Sequence, residues 1–314
     1  MRIAVVGVGA FGRHHLRVIR DCPRAQLVAV FDRDPARAQS AAEEFGCAAV
    51  SSLEELFGRV DAAVVATPTE THAEVGCALL AAGIDVLIEK PVASRLEEAR
   101  RLQQACSSDR ILQVGHLERF NPAVLALREI VTTPLFFEIH RLSVFTPRSL
   151  DVDVVLDLMI HDIDLVLDLV GQIPAEIRAA GISILSSKVD IANSRLAFPG
   201  GCIANLTASR VSTEKVRKLR LFQPHQYVSI DYTRQDGVVI RVSHGHQIAF
   251  EQLSVSKAEP LKLQFESFVD CIQSRKKPIV GIEEAMRALR VAHEILDKIE
   301  EHAALVKRSL ALKE

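Results

Sequence analysis

Arg2-Ile3-Ala4-Val5-Val6-Gly7-Val8-Gly9-Ala10-Phe11-Gly12, at the start of the chain, is the stretch from which the fold is read. A short apolar run of strand character meets three glycines spaced G-x-G-x-x-G, and a helical segment from Arg13 to Arg20 follows at once. In that setting the spacing marks a dinucleotide-binding turn. Gly7 makes the tight turn, Gly9 lets the backbone approach a diphosphate, and Gly12 lets helix pack on strand. The diphosphate is expected on the N–H groups of the helix start, at Gly9, Ala10, Phe11 and Gly12. Asp32 ends the next strand, Leu27 to Phe31. A carboxylate there accepts from ribose hydroxyls and repels a 2'-phosphate, so NAD is expected in preference to NADP. Its neighbour Arg33 is either a solvated loop side chain, a group stacked on the adenine, or a receiver for that phosphate.

Working outward, strand and helix keep alternating. Ala62 to Ala66 leads to Glu70 to Ala82, Asp85 to Ile88 leads to Leu96 to Ala105, and Ile111 to Val114 adds a strand. Repeated βα units predict a parallel, doubly wound Rossmann sheet whose ligand crevice lies at the carboxyl ends of its strands. Two loops open there. Thr67-Pro68-Thr69-Glu70-Thr71-His72 leaves one strand and Glu89-Lys90-Pro91 leaves the next. Thr67, Pro68, His72, Glu89 and Lys90 are therefore candidate cofactor contacts, with a core or cap-region histidine as the alternative for His72. Lys90, at the end of a buried apolar strand and followed by Pro91, is expected in the crevice rather than on the surface.

A second stretch carries candidate chemistry. Between Val152 and Gly171, Leu156, Met159, Ile160, Ile163, Val166, Leu167 and Val170 recur at helical spacing, and Gly171 and Pro174 mark the end. Asp157, His161, Asp164 and Asp168 form a narrow polar line along this otherwise apolar helix. Such a line is either a solvated face or a positioned acid–base set. Short carboxylates with an imidazole, in place of mixed Lys, Glu and Arg, favour the second reading.

The remaining composition bounds the function. With 48% hydrophobic and 25% charged residues, 314 residues suffice for two globular domains. A formal net charge of -2 offers no overall field for nucleic acid or an anionic membrane. Cysteines at 22, 47, 77, 106, 202 and 271 form no C-x-x-C, which argues against a zinc site and against a disulfide framework. No signal peptide or membrane span is read, and a cytoplasmic protein is expected.

Taken together, G-x-G-x-x-G, Glu89-Lys90-Pro91 and the D-x-x-x-H of Asp157 and His161 resemble the glucose–fructose oxidoreductase, inositol dehydrogenase and MocA family. The resemblance implies a Rossmann domain over 1–120. Over 121–314 it implies an α+β domain with a large, mostly antiparallel open sheet and closing C-terminal helices, for substrate binding and assembly into a dimer or tetramer. Strand-like runs at Phe136 to Val144, Glu176 to Ile184, Ser194 to Phe198, Cys202 to Ala208, Lys218 to Phe222, Tyr227 to Asp231 and Val238 to Val242 agree with it. So do helical segments at Leu261 to Ser274 and Ile282 to His302. It also implies that Lys90, Asp157 and His161 act together beside the nicotinamide. The glycine-rich lead-in usual before the aspartate is replaced here by Val152-Asp153-Val154-Val155.

A narrower likeness, to the UDP-N-acetylglucosamine 3-dehydrogenase branch, lies in Gly115 to Pro122, Arg148 to Asp153, Asp190 to Asn193 and Asn205 to Arg210. It implies NAD-dependent oxidation of a nucleotide-sugar secondary alcohol. Arg119, Asn121, Arg148 and Arg210 are then candidate substrate contacts, because arginine binds a diphosphate bidentately. The basic run Arg210, Lys215, Arg217, Lys218 and Arg220 either meets that diphosphate or forms the solvent side of a strand. A free polyol or hexose substrate and a non-catalytic NAD-binding regulator are the alternatives.

Overall fold

The computed structural model describes residues 1–146, 152–242 and 247–311. The chain divides into two compact units, Met1–Leu117 with Glu259–Met286, and Glu118–Ala258 with Arg287–Glu314.

In the first unit β1 (Arg2–Val6), α1 (Ala10–Arg20), β2 (Gln26–Phe31), α2 (Pro35–Phe45), β3 (Ala48–Ala49), β4 (Ala62–Val65), α3 (His72–Ala81), β5 (Asp85–Glu89), α4 (Leu96–Ala105) and β6 (Leu112–Gly115) follow one another. The sheet order is β3-β2-β1-β4-β5-β6 and every pairing is parallel. This is the dinucleotide-binding order, with its switch point between β1 and β4. Ile3, Ala4, Val5 and Val6 are all fully buried, which is why the strand reads as an unbroken apolar run and not as an alternation. α2, absent from the periodicity reading, is set by Asp34, whose carboxylate accepts from the N–H groups of Ala36 and Arg37, and by Pro35.

The first break between the units falls at 117/118, and the C-terminal part of the chain is shared between them. Helix α7, Pro260–Ser274, belongs to the first unit. Its Leu261, Phe265, Phe268, Val269 and Ile272 share a core with Leu16, Ile19 and Leu87. Gln113 Nε2 donates to Gln264 O at 3.0 Å, and Arg275 Nη1 donates to the buried Asp85 at 2.7 Å. The last helix, α8 (Ile282–Ala311), begins in the first unit and continues in the second.

The second unit contains α5 (Pro122–Arg128), β7 (Phe136–Val144), α6 (Ile160–Val170), β8 (Glu176–Ile182), β9 (Ile191–Ala197), β10 (Ile203–Ser212), β11 (Val216–Gln223), β12 (Gln226–Asp231), β13 (Asp236–Val242) and β14 (Ile248–Gln252). They make an eight-stranded sheet, β14-β13-β12-β11-β7-β10-β9-β8, antiparallel except where β7 pairs with β10. One face is covered, and Phe137, Ile139 and Arg141 of β7 alternate inward. α5 and β14 are additions to the elements read from periodicity. Edge strand β14 is exposed throughout, so burial left no alternation to detect.

Candidate active site

The first unit holds a cavity of about 850 Å³ at the carboxyl ends of β1, β2 and β4, lined by Gly7, Gly9, Asp32, Arg33, Arg37, Thr67, Pro68 and Glu74 among others. The glycines are required by geometry. Gly7 has φ +89°, and a Cβ on it would lie 2.7 Å from the backbone of Ala66 and Thr67. A Cβ on Gly12 would lie 1.9 Å from Gly7 O, inside the helix–strand contact. At Gly9 a Cβ would meet nothing within 4 Å, so this backbone borders open space of the kind a diphosphate needs. Ala10 and Phe11 stand exposed at the start of α1. The cradle fits a dinucleotide.

Asp32 is nearly buried, and its carboxylate accepts from Val8 N at 2.8 Å, Asp34 N at 2.9 Å and Arg37 Nη1 at 3.4 Å. A carboxylate offers about four lone-pair sites, so capacity for a ribose hydroxyl is retained. Arg33 borders the same cavity and is exposed. Arg37, which the sequence reading passed over, also lines it and is ion-paired with Asp32 and Asp34.

Two expected cofactor contacts turn out to be internal struts. His72 is 1% exposed, with ring nitrogens 3.0 Å from Pro91 O and 2.9 Å from Thr67 O. It ties together the two loops that leave β4 and β5. Burial pushes its pKa below the ordinary histidine value, against the pull of the two carbonyls. Glu89 is buried too, with Oε1 2.7 Å from His15 Nε2 and Oε2 accepting from Lys90 N at 3.3 Å. Lys90, joined to Pro91 by a cis peptide, is partly exposed at the end of β5. His15 gave no separate signal because it sits within the apolar face of α1.

In the second unit the expected single helix is divided. Val155–Met159 forms a π-helical turn carrying Asp157, and α6 begins at Ile160 and ends at Gly171 with φ +70°. Wide turns of this kind are frequent at functional sites. Asp157 and His161 are both partly exposed. The polar line nevertheless splits. Asp164 is buried and accepts from Arg119 Nε at 2.6 Å and Nη2 at 3.1 Å, while Asp168 lies 2.5 Å from Arg119 Nη1. Those two aspartates anchor the helix. Asp162, off the line, is buried on Arg141 through two bonds of 2.7 Å.

The structure gives three of the expected substrate contacts partners within the fold. Arg119 is 2% exposed and held by Asp164 and Asp168, so its fork is turned into the fold. Asn121 caps α5 through Ala123 N at 3.1 Å and donates to Glu118 and Tyr232 O. Arg210 is buried, donates to Val152 O, and lies 3.8 Å from Asp190. Arg148 lies outside the described residues. Among the described residues no group of three or more His, Cys, Asp and Glu is placed to hold a metal ion, and no helix is long and apolar enough to cross a membrane.

Residues 1–116 match the family described as "Oxidoreductase family, NAD-binding Rossmann fold", and residues 136–225 match the GFO/IDH/MocA C-terminal domain. The chain is 37% identical to UDP-N-acetylglucosamine 3-dehydrogenase of Acidithiobacillus ferrooxidans, over 88% of this chain and 90% of that protein. A solved structure of that enzyme superposes with a TM-score of 0.91 at 35% identity, covering 96% and 98% of the two chains. The scyllo-inositol 2-dehydrogenase (NAD(+)) of Bacillus subtilis is 26% identical over 89% of this chain and 88% of its own. A nucleotide cradle on the first unit, a second unit built on a large open sheet, and similarity running through both place this chain in the GFO/IDH/MocA family of NAD-binding oxidoreductases.

Proposed function

We propose that this protein oxidises C3 of UDP-N-acetylglucosamine to the 3-keto sugar, with the first unit binding NAD and the second binding substrate and mediating assembly as a homodimer or homotetramer in the cytoplasm. The observation that carries the reading is the 37% identity to a UDP-N-acetylglucosamine 3-dehydrogenase across nine-tenths of that enzyme. NAD, when bound, supplies the acceptor for the hydride leaving C3. His161 takes the hydroxyl proton, Asp157 orients and charge-balances it, and Lys90 hydrogen-bonds the reacting oxygen as alkoxide character develops. Gly7, Gly9 and Gly12 hold the diphosphate of NAD, and Asp32 holds the adenosine ribose.

Free polyols are the second reading, favoured by the inositol dehydrogenases among the relatives. Against it, the inositol dehydrogenases are 34% identical over 55% of this chain and 26% identical over 89%, below the 37% over 88% of the nucleotide-sugar enzyme. Purified protein with NAD is to be offered UDP-N-acetylglucosamine, myo-inositol and glucose while reduced nicotinamide is followed by absorbance. Turnover of the nucleotide sugar at least about tenfold more efficient than of either free sugar is expected, about 1.4 kcal/mol in the barrier. Ready turnover of inositol with none of the nucleotide sugar would replace the substrate assignment.

A further inference from the structure

The basic run along β10 and β11 separates in the structure. Arg210 is buried on Val152 O, Arg220 donates to Glu138 at 2.8 Å, and Lys215 is exposed. Arg217 differs from all of these. It stands directly opposite Arg141 across the antiparallel β11–β7 pair, and opposed residues share a face of the sheet. That face is the covered one, since Leu219 and Leu221 of the same alternation are fully buried. Two arginines therefore rise from paired positions on one face, Arg141 buried and Arg217 half-buried.

Only one of them touches carboxylates. Arg141 is held by Asp162 and by Glu118 at 2.8 Å. Arg217 donates to Leu142 O at 2.6 Å, Val216 O at 3.1 Å and Ser143 Oγ at 2.7 Å, all uncharged acceptors. Among the described residues no carboxylate lies within 4.0 Å of it. Its Nε–H takes no part in these bonds. Burial and the neighbouring Arg141, opposed in part by Asp162, Glu118 and Asp157, pull its pKa down to about 10. Two of these carboxylates, Asp162 and Glu118, touch Arg141, so Arg217 itself has only neutral acceptors in contact.

We propose that Arg217 is a substrate-binding residue that takes a phosphate oxygen of a nucleoside diphosphate, a role that rests on the nucleotide-sugar reading above and is not served by Arg119 or Arg210. The donors not used within the fold suit a phosphate, which arginine binds through paired N–H groups.

The protein is to be titrated calorimetrically with UDP and with uridine, alongside Arg217→Met and Arg217→Lys, with thermal melts to verify folding. Wild type is expected to bind UDP at least about tenfold more tightly than uridine. Arg217→Met should lose about 10- to 100-fold in UDP affinity with uridine affinity unchanged, and KM for the nucleotide sugar should rise while KM for NAD stays the same. Arg217→Lys, which keeps the charge without the fork, should fall between. Should Arg217→Met not fold, a several-fold loss of UDP affinity in Arg217→Lys with uridine unchanged carries the same result. Unchanged UDP affinity in the folded variants, with UDP-N-acetylglucosamine still turned over, overturns the role of Arg217 and leaves the function standing. Wild type that neither binds UDP nor oxidises the nucleotide sugar overturns both.

Discussion

Nε2 of His15 lies 2.7 Å from Oε1 of Glu89, both side chains are buried, and Glu89 immediately precedes Lys90. Gly115 makes the room, since a Cβ there would stand 2.9 Å from Glu89 Oε2. The other carboxylate oxygen accepts from the backbone N–H of Lys90, so α1 helps to set the end of β5 through a single imidazole. His15→Ala should leave a buried carboxylate without its partner and cost about 3 kcal/mol in urea unfolding. Where the variant remains folded, kcat should fall about tenfold with KM for NAD little changed, because His15 is a positioning residue. Wild-type stability and kcat together would remove that role.

The acid–base assignment is tested at its two ends. His161→Asn and Lys90→Met should each lower kcat by about 10²- to 10⁴-fold, because proton transfer and stabilisation of the developing alkoxide are lost. Binding of NAD, followed by fluorescence of the reduced form, should hold within about twofold. A His161→Asn enzyme with near-normal kcat would move the base elsewhere.

Cofactor preference turns on Asp32. NAD should exceed NADP in kcat/KM by at least about tenfold, about 1.4 kcal/mol, since a 2'-phosphate would meet a carboxylate already fixed by two backbone donors. Asp32→Ser should narrow that ratio, because Arg33 and Arg37 on the same cavity then face the phosphate without a competing anion. Equal use of both cofactors by wild type would show that the arginines already prevail.

What the sequence could yield was set by how local each signal is. The glycine turn, Asp32 and β5 with Lys90 are contiguous in the chain, and their geometry follows from φ, steric room and an apolar run. β7 begins and ends where its alternation does. The partners of buried charges come from residues far apart in the chain, and no periodicity announces them. Arg119 and Asp164 are separated by 45 residues, so an exposed phosphate-binding arginine and a buried helix anchor look alike until the fold is known. The same holds for α7, whose apolar face is plain in the sequence while the unit it completes is not. Its contacts with α1, β5 and β6 assign it. The π-turn was hidden for a different reason, since an apolar repeat cannot distinguish one wide turn from an α-helical one.

Arg119 marks where the diphosphate expectation gave way to a structural role, and stability should report it. Arg119→Met leaves Asp164 buried and Asp168 largely so, both without this guanidinium. Removing one partner of a buried ion pair costs about 3 to 5 kcal/mol, which urea unfolding would register. An Arg119→Met protein as stable as wild type, with KM for the nucleotide sugar raised alone, would return Arg119 to the substrate site.

Asp190 provides a stability signal that pH can read. Its carboxylate accepts from Ile184 N at 2.7 Å, Leu185 N at 2.6 Å, and Ser186 N at 3.0 Å and Oγ at 2.7 Å. Burial alone would raise its pKa, but these donors outweigh burial and hold it at about 2, below the ordinary value of 3.8. Because the folded pKa is the lower one, the unfolded chain binds the proton first as pH falls. The contribution of Asp190 is therefore complete above about pH 4 and is lost as pH drops toward 2. Asp190→Asn, which cannot offer the same charged acceptor to these N–H groups, should melt at a lower temperature than wild type at pH 6. The difference should narrow between pH 4 and pH 2, the window set by the two pKa values, when melting temperatures are followed by circular dichroism. A difference that stays constant through that window would mean that the loop is held by Asp190 through shape and hydrogen-bond count rather than through its charge.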